Sequence, residues 1–207
     1  MEAMSSGRRG AYHHGNLRDA LLDAAEGELL AVGPEALSLR RIARQCGVSQ
    51  TAPYRHFATR DGLLVALATR AFDDFAAALR SAGRKETEPW PQLRALGRAY
   101  FDYAQAHPQR LRLMFGRDAV LRNADPALLR AAEGAFDILS AAVGNVLGDE
   151  PELDPTAAAF AAWGLAHGLA AIFGEAPGST TMTHAERERI VDAALEILGR
   201  GLRGAAD

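Results

Sequence analysis

The chain has 207 residues, is 48% hydrophobic and 24% charged, and carries a net charge of -3. That length suffices for one large or two small domains with a sizeable core, and the composition is ordinary for a soluble globular protein. A lone Cys46 excludes an intrachain disulfide, argues for no oxidising compartment, and reads as a small core residue.

At the N-terminus, MEAMSSGRRGAYHHGNLRD has no apolar core segment and does not read as a signal peptide, so a cytoplasmic chain is expected. His13-His14 is an isolated pair. Metal sites need three or four convergent ligands, so no metal is expected. From there the apolar period is helical, as in Leu64, Ala68, Ala71, Phe75 and Leu79, or Leu93, Leu96, Tyr100 and Tyr103. The spacing and punctuation predict nine helices, near 15–32, 38–45, 49–56, 60–82, 90–106, 108–115, 126–147, 155–174 and 184–203. Asp125-Pro126 and Asp154-Pro155 each set a capping carboxylate before a proline suited to the first helical position. Thr183 to Glu186 forms a capping box. An all-α fold follows, with a small domain over 12–60 and a larger one over 61–207.

Charge is uneven along this chain. Ser38 to Arg60 holds five arginines (Arg40, Arg41, Arg44, Arg55, Arg60) and no acid. The first 60 residues carry 8 basic and 6 acidic side chains, for +2, whereas 61–207 carry 15 and 20, for -5. A basic patch on an acidic body suits a small binding head. Within the patch, two short helices flank Gly47-Val48, which fits a helix-turn-helix. Ala43 is small where the helices cross, and Gly47 can take the left-handed backbone of the turn. Ser49 is expected to cap the second helix. Its first residues, Gln50, Thr51 and Ala52, would face base edges in a major groove. Arg40, Tyr54, Arg55, His56 and Arg60 surround them as candidate phosphate donors.

YHHGNLRDALLDAA, LSLRRIARQCGVSQTAPYRHF and TRDGLLVALA resemble the DNA-binding domain of the TetR family of bacterial transcriptional regulators. The resemblance runs from about Tyr12 to Phe75. It implies backbone contacts from Tyr54, His56 and Arg60, base reading by Gln50, Thr51 and Ala52, and access to DNA for Arg40. Pro53 departs from the leucine more usual there, a small cost in a helix's first turn. The later two-thirds is similar only in outline. HPQRLRLMFG and AAWGLAHGLA look like a subset with a Trp-then-His-Gly signature.

Thr156 to Gly174 carries no charge and approaches the ~20 residues of a spanning helix. It is mostly Ala and Gly, its flanks are acidic, and no Lys or Arg anchors it. It reads as a buried interface helix, with no membrane partner. Ala158, Ala162, Ala166 and Ala170 make one small-residue stripe, Gly164 and Gly168 another. Ile190, Ala194, Leu198 and Leu202 offer a partner face on the last helix. Together they predict a homodimer through a four-helix bundle. Candidate ligand-pocket residues are Phe101, Tyr103, Met114, Phe115, Phe136, Trp163 and His167. The last two are polar-tipped groups one turn apart on a featureless apolar helix.

The expected function is a homodimeric, ligand-responsive regulator, a repressor, on palindromic double-stranded operator DNA. An unknown small apolar or aromatic effector would release it. The alternative is a helical carrier or sensor without DNA binding. No Gly-x-Ser-x-Gly elbow, P-loop, Rossmann pattern or His-Glu-x-x-His occurs, so neither an enzyme nor a cofactor is expected.

Overall fold

A computed structural model describes residues 17–116, 125–149, 153–175 and 181–204. His13 and His14 lie outside them. Eight α-helices are present: α1 (Leu17–Val32), α2 (Leu39–Gln45), α3 (Arg60–Gly83), α4 (Pro89–Ala106), α5 (Pro108–Phe115), α6 (Pro126–Leu147), α7 (Pro155–Glu175) and α8 (His184–Gly204). The third expected helix, near 49–56, is instead a four-residue 3₁₀ turn, Ala52–Arg55. No strand occurs among the described residues.

Pro53 explains the short turn. An α-helix capped at Ser49 would need the N–H of residue 53 to reach the Ser49 carbonyl, and proline has none. The Ala52 amide takes that carbonyl instead, at 3.0 Å, which is the tighter three-residue pattern. Nor does Ser49 cap through its side chain. Its hydroxyl lies 3.1 Å from that of Thr51.

The chain divides into two compact units, the first ending at Leu63 and the second starting at Leu64. In the first, Leu21, Leu22, Ala25, Leu29, Ile42, Ala43, Phe57 and Leu63 form the core, with Cys46 also buried. Gly47 ends α2 at φ +67°. Its amide donates to the Arg44 carbonyl and that of Val48 to the Ala43 carbonyl, the paired bonds of a Schellman motif.

In the second unit α4 is the hub and packs on α5, α6, α7 and α8. The expected caps form: Asp125 accepts from the Ala127 amide at 2.7 Å, and Asp154 from the Thr156 amide at 3.0 Å. Thr183 and Glu186 bond reciprocally, at 2.7 and 3.2 Å. Those bonds hold the Glu186 carboxyl below its usual range. Helix α8 meets α4 where neither can carry a larger residue. A Cβ on Gly97 would stand 2.5 Å from a Leu195 methyl, and one on Gly199 would enter the Trp90 ring.

One correction concerns α7. Ala158, Ala162, Ala166 and Ala170 are all buried within the protomer, and so is Leu202. The stripe expected to meet a partner faces its own bundle. Ile172 (55% exposed) stands on the uncovered side, as does Ile197 of α8 (72%), while half-exposed Phe160 packs on Phe136 of α6. The sequence could not separate the two faces, because both are apolar. Helix α7 is long and apolar enough to cross a membrane, and a third of its apolar window is buried in the protomer.

The glycine contacts yield a paired expectation. Gly199→Ala should destabilise the protein by about 1–3 kcal/mol through overpacking against Trp90. Gly144→Ala, where nothing lies within 4 Å of the added carbon, should be neutral or stabilising by up to about 1 kcal/mol. Thermal unfolding of the two variants checks this.

Candidate functional site

Two sites emerge, one in each unit. In the first, Gln50, Thr51, Tyr54, Arg55 and His56 are exposed along the turn and the loop before it, with Ser49 beside them and Ala52 half-buried. Pro53 is buried beneath them and anchors the segment. The five arginines, however, have different jobs. Arg41 donates through Nε to buried Glu28 at 2.7 Å and through Nη2 to the Ala36 carbonyl. Glu28, 4% exposed, also accepts from the Ser38 amide at 3.1 Å. A carboxylate on the buried face of α1 thus ties down the start of α2.

Arg60 is the second correction. Its Nε donates to the Leu37 carbonyl at 3.1 Å, and its Nη2 to the carbonyls of Glu35, at 2.9 Å, and Pro34. Its guanidinium is committed to the loop between α1 and α2 and positions the head. Arg40, Arg44 and Arg55 are exposed, and no hydrogen bond or ion pair holds them among the described residues. Arg44 therefore joins Arg40 and Arg55 as an uncompensated cation. It was missed because the resemblance assigns that position no role, although its charge was in plain view.

The second site is a cavity of about 330 Å³. Its walls come from α3 (Phe72, Phe75, Leu79), α4 (Trp90, Leu93, Leu96, Gly97, Tyr100), Phe115 of α5, α6, α7 and α8. Of the expected pocket residues, Phe115, Phe136 and Trp163 line it. The other four do not. Phe101 packs with Phe173, Val191 and Leu195, Met114 is fully buried, and the Tyr103 hydroxyl donates to the Ala71 carbonyl at 3.1 Å. His167 stands just behind the wall. Ala162, Ala166 and Leu198, expected at a dimer interface, line the cavity instead.

Tyr100 is the residue that sequence reasoning passed over. On the apolar stripe of α4 it looked like any core aromatic. Its hydroxyl lies 2.7 Å from His167 Nδ1 and also meets the Trp163 indole. Burial pushes the Tyr100 phenol well above its usual range and holds the His167 imidazole below its own. The Tyr100 hydroxyl and His167 Nδ1 share one hydrogen bond, so each polar tip has a partner inside the bundle. Rings pack around them, with Phe115 4.9 Å from His167 and Phe75 5.0 Å from Tyr100.

An all-helical chain with a helix-turn-helix head and a separate ligand-sized cavity defines the class. Residues 21–67 match the bacterial regulatory proteins of the tetR family, and 93–198 match the tetracyclin repressor-like C-terminal domain. The chain belongs to the TetR family of bacterial transcriptional regulators. The HTH-type transcriptional activator FasR of Mycolicibacterium smegmatis is 31% identical over 128 residues, which span 59% of this chain and 58% of that relative's length. A solved protein of unknown function from Rhodococcus sp. RHA1 is 33% identical over 93% of this chain and 98% of its own, with a TM-score of 0.79. Bacillus subtilis FadR, solved with stearoyl-CoA, shares the fold at a TM-score of 0.69 and 15% identity, over 88% of this chain and 98% of its own.

Because folding disfavours the protonated imidazole of His167, its contribution to stability is intact above the ordinary histidine value of about 6.5 and declines as pH falls below it. The wild-type melting temperature should therefore drop more between about pH 7.5 and pH 5 than that of His167→Gln. Parallel thermal melts at the two pH values test the difference.

Proposed function

We propose that the protein is a homodimeric, ligand-responsive transcriptional regulator acting on operator DNA in the cytoplasm. Residues 12–60 serve as the DNA-binding head, and 61–207 bind the effector and dimerise. The observation that carries this reading is the division of labour among the head's arginines. Arg41 and Arg60 are spent on the fold, while Arg40, Arg44 and Arg55 stay exposed beside Gln50, Thr51 and Tyr54. Uncompensated guanidinium groups around a short polar segment suit phosphates flanking a read base step. A carrier or sensor has no use for them.

The dimer uses the outward faces of α7 and α8, marked by Gly164, Ile172 and Ile197. A second copy covers what water would otherwise meet, and a twofold pair presents two heads to a palindrome. An apolar or aromatic effector in the cavity favours the state with lower DNA affinity. FadR, of the same fold, was solved with stearoyl-CoA, which supports a ligand-responsive reading. Release from DNA relieves repression where the operator overlaps a promoter. A relative named as an activator shows that the sign varies among such proteins.

The decisive experiment is a gel shift on the DNA upstream of the gene for this protein. Wild type should bind, and Tyr54→Ala or Arg55→Ala should weaken binding similarly on all sequences and flatten its salt dependence. Gln50→Ala should change base preference, each lost base contact costing about 1–3 kcal/mol. No shift at any salt concentration would leave the carrier reading standing. For assembly, Ile197→Glu and Ile172→Glu should convert a dimer of 22.1 kDa chains to monomers and abolish tight operator binding. Both residues are exposed in the protomer, so its own fold is spared. Size-exclusion chromatography with light scattering reads the result.

A further inference from the structure

From the cavity's own chemistry we infer that its ligand is an amphiphile with a cationic head, an apolar body inside and the positive charge at the α6 rim. This rests on the reading of the cavity as the effector site. Among the described residues, the interior offers few polar atoms, the Tyr100 hydroxyl and the indole N–H groups of Trp90 and Trp163, and none is an ion. Tyr100 already meets His167. A charged head pushed inward would be poorly paired, which the site would reject. That group must therefore sit at the rim.

The rim has a sign. Among the described residues, the charged groups lining the cavity are Glu133 and Asp137, one helical turn apart on α6 and both exposed. No ion pair or hydrogen bond engages either carboxylate among the described residues. A cationic head gains Coulomb attraction from both, and an anionic head meets repulsion from both. Phe136 and Phe160, their rings 5.0 Å apart, also line the cavity, and a cationic head near an aromatic ring would gain further attraction.

The test uses the full-length protein and its two tryptophans, Trp90 and Trp163, both in the cavity wall. Their fluorescence is followed on titration with decyltrimethylammonium, 1-decanol and decanoate, each kept below micelle formation. The expected order is cation, then alcohol, then anion, with roughly tenfold between the ends at low salt and a smaller gap at about 1 M salt. Glu133→Gln/Asp137→Asn should bring the cation-to-alcohol ratio close to one. Equal binding of all three, or tightest binding of decanoate, would overturn the cationic head and leave the cavity as a ligand site. Failure of decanol itself to bind would overturn the cavity reading and this inference together.

Discussion

A helix with no charge on any side has to be covered on every side. Helix α7 imposes that condition on the rest of the second unit. Its inner stripe, Ala158, Ala162, Ala166 and Ala170, is small enough for α4 and α6 to pack closely. The same smallness leaves space. Methyl groups at Ala162 and Ala166 cannot fill what the rings of Phe75, Tyr100, Phe115 and Phe136 enclose, and the unfilled volume is the cavity. Among the described residues the outer side of α7 meets no such cover, so one constraint shapes both the cavity and the surface proposed for a second copy.

Buried polar groups in both units draw on partners close at hand, even where, as at the second oxygen of Glu28, not every atom finds one. Glu28 is compensated by Arg41 and the Ser38 amide, and a buried carboxylate without such partners would be strongly destabilising. The Tyr100 and His167 tips answer each other in the bundle. The pairing leaves Arg40, Arg44 and Arg55 as uncommitted positive charge on the head, and Glu133 and Asp137 as uncommitted negative charge on the cavity rim. The two sites therefore have opposite signs, which would keep an anionic polymer and a cationic small molecule from competing for one surface.

Local signals were the ones legible in the sequence. Helix starts at Asp125, Asp154 and Thr183 depend on bonds within three residues, and Gly47 on its own backbone angle, so residue type alone decides them. What depended on the third dimension was less readable. The inward stripe of α7 was taken for the outward one, since alanines on one face and Gly164 and Ile172 on the other are equally uncharged. Arg60 was counted as a phosphate donor because nothing in its neighbourhood along the chain reveals carbonyls 23 to 26 residues earlier. Pro53 carried a usable signal, as the missing N–H falls on the first α-type bond. Glu28 did as well, since it falls among Leu21, Leu22, Ala25 and Leu29 on the buried face of α1, where a carboxylate needs a cation.

On the proposed function, helix α3 decides how binding at one site reaches the other. Its first residue, Arg60, holds the loop between α1 and α2, and its later turns give Phe72, Phe75 and Leu79 to the cavity wall. A ligand that wedges those three side chains would act on the helix whose first residue holds that loop. The effect is bounded by how differently the ligand binds the two states, whatever its overall affinity. Turning a head population from about 1:99 to 99:1 needs roughly a 10⁴-fold difference in ligand affinity between the states. An oily cavity with one sign of charge at its rim can supply such a difference only if α3's aromatic wall changes shape around the ligand. Phe72 and Phe75, each set edge-on against a ring of another helix, are the side chains that would have to move.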